Sequence, residues 1–538
     1  MGKIFDYDVN SSIDGLLHSN EHLTKDSESL RIITRKDKTT KTALLSGGGS
    51  GHEPFAGGLV GLGGLTGAVI GDLFTSPSIK NIIKAIDSLK EYDNIIVFVL
   101  NYTGDILNFT NAIDKYTGEK NIYMIIIDDD ITHENLNLKT GRRGIAGSVL
   151  LLKIAGNLVE KNLDCLEIVE ECRKIVNNMA SLGVCEVEEN ILEIGLGIHR
   201  EPGFDRINKG NGRELINKML IRLLESERIK DNNSKKIVYI NNLGGMSELE
   251  AGILKCFVVD EVKKHNIICG VYYGRLMTSL SSNGFSLTVL NLENNSWLED
   301  IDKEYESIPL QKLNFTRIPS KIKPLRYFKN EINFDKKIEF ILINICDIFM
   351  KKKKEINQLD KVCGDGDCGD AFERAAIEIL KRINECSIDL SSIKNACLDI
   401  ADVFEDVVGG TTGALYSVFL SSASRYADHD IIKSLEEGVN AIIQFGGAQP
   451  GDRTMIDPLY KAIIIAKNLE KEEKNKEYWE KIIKNVEEEV SNTSLMKAMS
   501  GRASYTNFSD QKSVDAGAFA VYLWMKAIYD KVYVKGIF

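Results

Sequence analysis

A chain of 538 residues with 43% hydrophobic and 27% charged side chains has core material for about two to four domains and lies far from disordered compositions. A formal net charge of -11 excludes a broad nonspecific nucleic-acid surface, which needs clustered Lys and Arg. Ten cysteines without a CxxC pair, behind no apolar leader, argue against a zinc ribbon or a secreted disulfide framework and predict a reducing, cytoplasmic setting.

From the N-terminus, short β-branched runs alternate with helical stretches, which predicts an α/β architecture, in one domain or two subdomains, over residues 1–305. Buried strands are expected at Thr42–Leu45, Ile95–Val99, Tyr123–Ile127, Ile237–Ile240 and Ser286–Leu290. The uncharged run from Gly57 to Gly71 is glycine-rich and shorter than the roughly 20 residues a membrane helix needs. Several strands run straight into glycine or polar clusters, and in open α/β sheets ligands sit beyond such strand ends.

Two of these clusters carry histidine. SGGGSGHEP, residues 46–54, leaves His52 as its first large polar group, and NYTGD, residues 101–105, ends another strand with Asp105. Together they offer an acid–base pair for a hydroxyl, although His52 reads equally as a turn cap. GLGIHREPG, residues 195–203, carries His199, a candidate nucleophile because neutral imidazole predominates near neutral pH. His18, His22, His133, His265 and His429 sit in polar context and read as surface residues.

Residues 306–334 read as a linker, since Glu306 to Lys329 holds three of the eight prolines and no sustained period. Residues 335–538 then change grammar. Apolar residues recur at helical spacing in Ile338–Met350, Ala371–Asn384, Ile393–Val408, Ala414–Tyr426, Ile456–Leu469 and Ala516–Ile528, so this half is expected to be all-α. The basic run Lys351 to Lys354 reads as the solvated end of a helix.

GDGDCGD, residues 364–370, concentrates carboxylates on one loop. A calcium loop of the EF-hand kind starting at Asp365 would need an oxygen ligand at Gly369 and a glutamate at Ala376, so that reading fails. Magnesium shared with phosphates asks for fewer protein ligands, and Asp360, Asp365 and Asp367 can converge before the next helix. On spacing alone a capped helix start is an equal alternative. Gly409–Gly413, Gly446–Met455 and Gly501–Tyr505 are further compact loops expected to open helices, and together they suggest a nucleotide site. No GxxxxGK[ST], HRD or DFG signature occurs, so P-loop and protein-kinase scaffolds are excluded.

Ten blocks in order, SGGGSGHEP, GDLFTSPS, NYTGD, GRRGIAGS, GLGIHREPG, NNLGG, GDGDCGD, GGTTGALY, GGAQPGDRTM and GRASY, resemble the single-chain ATP-dependent dihydroxyacetone (glycerone) kinases over nearly the whole chain. The resemblance implies an eight-helix barrel for the second half and phosphorylation of dihydroxyacetone, or a related short ketose or aldose, in glycerol metabolism. It implies that His199 forms a hemiaminal with the substrate carbonyl, that His52 and Asp105 hold and activate the hydroxyl, and that Gly49 and Ser76 contact the triose. It assigns two Mg²⁺ ions to Asp360, Asp365 and Asp367, and the ATP to Gly410, Thr411, Thr412, Gly413, Arg453, Thr454, Met455 and Gly501. A cytoplasmic homodimer without nucleic-acid or membrane partners is expected.

Three departures from the pattern bear on substrate choice. Leu100 stands where lysine is frequent, Arg200 follows the histidine where a small or polar residue is usual, and Asp370 replaces a threonine, adding charge near the phosphates. Two other functions share these blocks: a cyclase splitting FAD to cyclic FMN at the same nucleotide site, and a non-catalytic triose sensor. Retention of all three aspartates speaks against the sensor. A related system uses phosphoenolpyruvate through separate subunits, whereas fusion of both halves favours free ATP.

Overall fold

The computed structural model describes residues 5–26, 29, 31–37, 40–134, 140–230, 234–315, 335–469, 472–500, 502–506 and 511–534. The chain divides into two compact units, residues 1–319 and 320–538.

The first unit holds two sheets. Strands β1 (Leu23–Lys25), β2 (Ile32–Arg35), β3 (Thr42–Ser50), β4 (Gly67–Leu73), β5 (Asn94–Leu100) and β6 (Asn121–Ile127) form a six-stranded sheet in the order β1-β2-β4-β3-β5-β6. The four strands β4, β3, β5 and β6 are parallel, and β2 and β1 extend the β4 edge antiparallel. The apolar runs of β3 and β5 are buried on both faces, with Ile95 to Val99 wholly inaccessible, as a covered parallel sheet requires, whereas the edge strand β6, expected to be buried over Tyr123–Ile127, leaves Ile126 exposed and Tyr123 and Met124 half-buried. The chain steps from β3 to β4 on one side and then crosses back to β5 on the other side of β3, so a crevice opens beyond the ends of β3 and β5.

The second sheet comprises β7 (Met179–Glu188), β8 (Ile191–Ile194), β9 (Asp205–Asn208), β10 (Lys236–Asn242), β11 (Ile268–Gly274), β12 (Gly284–Asn291) and β13 (Gln311–Lys312), in the order β13-β11-β10-β12-β7-β8-β9. Only β10 and β11 are parallel here; the other pairs are antiparallel. Among the described residues eight α-helices accompany the sheets: α1 (Val9–His18), α2 (Ile79–Ser88), α3 (Thr103–Lys115), α4 (Gly147–Glu160), α5 (Cys165–Asn177), α6 (Gly212–Glu225), α7 (Glu248–Val262) and α8 (Ser296–Asp302). Helix α4 is buried from Gly147 through Val159, and its core cluster includes Leu44 and Phe98 of one sheet and Tyr239 and Leu290 of the other. Its few polar side chains are buried with partners: Lys153 donates to the Ile308 carbonyl and Asn157 to the Lys153 and Asp300 carbonyls.

The stretch expected to be a linker begins inside this unit. Ile308 is fully buried, its carbonyl accepts from the buried Lys153 ammonium at 3.0 Å, and Gln311–Lys312 pairs with β11. Residues 316–334 lie outside the described residues.

The second unit is all-α: α9 (Lys336–Asp360), α10 (Cys368–Asn384), α11 (Ile393–Val403), α12 (Gly410–Ala423), α13 (Ile431–Gly446), α14 (Ile456–Asn468), α15 (Lys476–Asn492) and α16 (Ala516–Tyr529). Their apolar faces share one core and surround an apolar cavity of about 470 Å³ lined by Leu342, Phe372, Phe419 and Trp524 among others. A wide helical turn, Phe404–Val408, ends the stretch that begins at Ile393. Helix α9 runs straight through Lys351–Lys354, so that basic run is a mid-helix face and not a helix end. Among the described residues no helix is long and apolar enough to cross a membrane, and the ten cysteines are all free thiols.

Candidate functional site

Beyond β3 and β5 lies a cleft of about 550 Å³ lined by Gly49, Phe74, Thr75, Ser76, Tyr102, Thr103, Gly104, Asp105, Asn108, His199 and Glu201. The glycine run expected as a loop is largely strand: β3 continues to Ser50 because Gly47 and Gly49 lie against neighbouring backbone. A Cβ at Gly49 would sit 2.6 Å from the Thr75 nitrogen. Four chain segments meet here. Gly49 and His52 come from the end of β3, Phe74 to Ser76 from the end of β4, and Tyr102 to Asp105 from the start of α3. His199 and Glu201 come from the β8–β9 connection.

Asp105 occupies the first turn of α3, where the helix dipole favours a negative group, and it accepts from the Ser76 hydroxyl at 2.5 Å. Burial pushes its carboxyl above the usual range, against the pull of the Ser76 hydrogen bond and the His199 charge. A carboxylate so placed is suited to accept a proton.

His52 is 2% exposed, and its Nδ1 faces the Thr278 carbonyl at 3.0 Å. A carbonyl only accepts, so Nδ1 carries a hydrogen, and in the neutral ring Nε2 is then bare. Burial, reinforced by the neighbouring His199, lowers this imidazole to about 4. Its Nε2 lies 3.1 Å from Nε2 of His199, with the rings edge to face. Phe74 and Tyr102 also present their rings to His199, at centroid distances of 5.8 Å and 4.7 Å. Glu201 Oε1 lies 3.2 Å from Nδ1 of His199.

In the helical unit, one oxygen from each of Asp360, Asp365 and Asp367 can be chosen so that all lie within 4.8 Å of one another. Asp360 ends α9, and Gly366, at φ 77°, turns the loop in a conformation glycine adopts without strain. Asp360 Oδ2 accepts from the amides of Asp367 and Cys368 at 3.0 and 3.3 Å. Asn357, one turn earlier, accepts from the amides of Gly369 and Asp370 at 2.6 and 3.2 Å and donates to Asp370 Oδ2 at 3.0 Å. Helix α10 is thus capped by side chains of α9, and Asp367 does not cap its own helix. Hard oxygen donors converging before a helix N-terminus match the donor set Mg²⁺ takes with phosphates.

The charge expected from Asp370 does not reach that cluster unopposed. Its carboxylate turns onto α9, where Lys353 lies 2.7 Å away and holds it, with Asn357, below the usual range. Leu100 is buried in the core, so it brings no polar group to the cleft. Arg200 adopts a left-handed φ of 66°, and its guanidinium reaches the Ser281 carbonyl at 3.4 Å.

The other nucleotide candidates divide. Gly410, Thr411, Thr412 and Gly413 form the first turn of α12, with Gly409 and Gly410 both at positive φ, leaving backbone amides at a helix start. Thr454 gives its amide to Asp457 at 2.6 Å, which organises the turn into α14. Arg453 points inward, donating to the carbonyls of Thr493 and Ser513, and Met455 is buried in the core. Gly501 lies outside the described residues. Of the histidines expected at the surface, His133 and His265 are half-buried.

Glu201, Tyr102, Phe74 and Thr278 were not singled out from the sequence. The first three stand inside the blocks GLGIHREPG, NYTGD and GDLFTSPS, beside the residues that were singled out. Thr278, in the β11–β12 connection, carries no local signal.

Comparison with known proteins gives a consistent pattern. The model of the Dak1 domain matches residues 14–308 and that of the DAK2 domain residues 362–530. A mouse protein named triokinase/FMN cyclase is 30% identical, with 98% of each chain covered. Dihydroxyacetone kinase 1 of Saccharomyces cerevisiae is 31% identical, with 97% of each chain covered. The crystal structure of the dihydroxyacetone kinase of C. freundii aligns with a TM-score of 0.61 at 28% identity, covering 98% of this chain and 100% of that one. A second structure of that enzyme, with AMP-PNP and Mg²⁺, aligns at 0.60 with the same coverage.

Proposed function

Because this chain belongs to the dihydroxyacetone kinase family, we propose a division of labour in which the α/β unit captures the triose and the helical unit presents the nucleotide. The chain is an ATP-dependent dihydroxyacetone kinase with Mg²⁺ as its metal. Asp360, Asp365 and Asp367 would hold the metal, as two ions. Bound there, Mg²⁺ supplies charge neutralisation for the phosphates and for the charge developing in transfer.

In the cleft, His199 forms a carbon–nitrogen bond to the carbonyl carbon, a hemiaminal that selects short ketoses and aldoses such as dihydroxyacetone and glyceraldehyde. Gly49 and Ser76 contact the captured triose. Asp105 and His52 hold its terminal hydroxyl and take its proton as the hydroxyl oxygen bonds to the γ-phosphorus and the bridging oxygen leaves with ADP. Fixing the hydroxyl lowers the entropic part of the barrier. The amides and hydroxyls of Gly410 to Gly413 receive phosphate oxygens, and the turn at Arg453, Thr454 and Met455, with Gly501, borders the nucleotide. A homodimer belongs to the same proposal.

The observation that carries this reading is a cleft lined by His199 and by a buried carboxylate held by Ser76, with the buried His52 in nitrogen–nitrogen contact with His199. The test is ADP release by the purified protein with Mg²⁺ and ATP: adding dihydroxyacetone should start turnover, and silence would end the kinase reading. The mouse relative is named an FMN cyclase as well as a triokinase, which favours the second reading, the splitting of FAD to cyclic FMN at the nucleotide site. Incubation with FAD and a divalent metal, followed by chromatography for a cyclic FMN product, decides it independently of the triose.

A further inference from the structure

We propose that Glu201 is a positioning residue whose carboxylate keeps the His199 ring doubly protonated before the triose arrives and balances the alkylated ring afterwards. This rests on the reading that His199 bonds covalently to the carbonyl carbon.

Four ring nitrogens, two on each histidine, share a limited number of hydrogens. His52 Nδ1 must carry one, because it faces the Thr278 carbonyl at 3.0 Å. Burial disfavours a second proton on that ring, so its Nε2 is a bare acceptor. The 3.1 Å contact between the two Nε2 atoms then needs a hydrogen from His199. His199 Nδ1 faces a carboxylate oxygen of Glu201 at 3.2 Å, and a carboxylate also only accepts. Two neutral rings would set two lone pairs against each other at one of these contacts. One imidazolium at His199 satisfies both.

Glu201 is built to stay charged. Its Oε2 accepts the His199 amide at 3.1 Å and faces Arg143 Nη1 at 4.0 Å. Arg143 is itself fixed by Asp130, at 2.8 Å from Nε, and by the Gly195 carbonyl at 2.7 Å. Burial would raise the Glu201 carboxyl, but the His199 hydrogen bond and the charges of His199 and Arg143 hold it below the usual range. The other titratable groups at the ring are His52, Asp105 and the edge-on Tyr102.

The addition step balances in charge. The Nε2 proton of His199 passes to Nε2 of His52, and the freed lone pair forms the carbon–nitrogen bond. The carbonyl π pair moves to oxygen, which takes the proton from His52. His52 ends neutral, ready for the hydroxyl proton. His199 again carries one positive charge, now with carbon on Nε2 and hydrogen on Nδ1, opposite Glu201. The histidine–glutamate pair therefore has the same net charge before and after, and the buried cleft is not asked to hold a new ion.

The test uses the full-length protein with [2-¹³C]dihydroxyacetone, following conversion of the ketone carbon signal to a tetrahedral one. Glu201→Gln keeps the shape and removes the charge, so the adduct constant should fall by about tenfold or more, the range for losing a charge-assisted hydrogen bond. Glu201→Asp should recover part of it. An adduct in Glu201→Gln equal to that of the unmodified protein overturns the proposal, whereas no adduct in the unmodified protein overturns the hemiaminal reading itself. If Glu201→Gln does not fold, ¹⁵N spectra of the unmodified protein decide, with His199 assigned through His199→Ala. Two protonated ring nitrogens support the proposal, and a neutral ring refutes it.

Discussion

Asn357→Ala separates loop organisation from metal ligation in the helical unit. The side chain makes three hydrogen bonds, accepting from the Gly369 and Asp370 amides and donating to Asp370 Oδ2. Truncation leaves two amides at the start of α10 without their acceptor while Asp360 still serves those of Asp367 and Cys368. Loss of one cap costs about 1 kcal/mol, and a second hydrogen bond about as much again, so the acidic loop loses about 2 kcal/mol of preorganisation. That corresponds to about a 30-fold rise in the Mg²⁺ concentration for half-maximal rate. The assay is ADP release titrated with Mg²⁺ at saturating ATP and triose. The limiting rate at high Mg²⁺ should change little, because the three carboxylates remain. Asn357→Asp, which keeps an acceptor but faces Asp370, should fall between. An unchanged Mg²⁺ requirement accompanied by a lower melting temperature would refute the reasoning and leave Asn357 a stabilising cap alone.

Further outcomes are expected. Gly49→Ala places a Cβ 2.6 Å from the Thr75 nitrogen and 2.9 Å from the Phe74 carbonyl carbon, forcing back the segment that carries Ser76. Overpacking of this kind costs about 1–3 kcal/mol, so KM for the triose should rise roughly tenfold or more while KM for ATP stays put; equal changes in both would refute it. With His52 lowered to about 4, the acid limb of kcat/KM should fall near pH 4–5, and a limb at pH 6–7 would remove His52 as the proton acceptor. The folded state binds fewer protons at His52 than the unfolded chain between its lowered value and the ordinary one near 6.5, so this residue's contribution to stability grows with pH through that window. Asp129, raised by burial to about 6, acts with the opposite sign, so His52→Ala should make the melting temperature fall with pH relative to the unmodified protein. Asp365→Asn should raise the melting temperature of the metal-free protein, by relieving repulsion among carboxylates within 4.8 Å, while lowering activity; a lower melting temperature would count against the cluster.

The sequence foretold some elements and hid others for identifiable reasons. Continuous β-branched runs such as Ile95–Val99 identify themselves, because burial on both faces leaves no other composition. β4 hid in a glycine-rich run, since Gly67 and Gly71 lie against neighbouring chain and depress the apolar signal. α15 hid because charged residues dominate it, although Tyr478, Ile482, Val486 and Val490 keep the helical spacing. α13 lies outside the expected helices, yet Leu435, Val439 and Ile442 mark its stripe. The direction of the second sheet was not legible, because strand pairing depends on partners distant in the chain.

The chain's local grammar determined which residue types were available: glycine before histidine, aspartates spaced across a turn, apolar stripes at two different periods. What they do to one another was decided only in three dimensions. The Thr278 carbonyl sets the hydrogen on His52 from 226 positions away, Glu201 meets His199 and is itself faced by Arg143, and Lys353 neutralises the aspartate that seemed to threaten the phosphates. Protonation and charge depend on distances of a few ångströms and on exclusion of water, and neither quantity is written in the order of the residues.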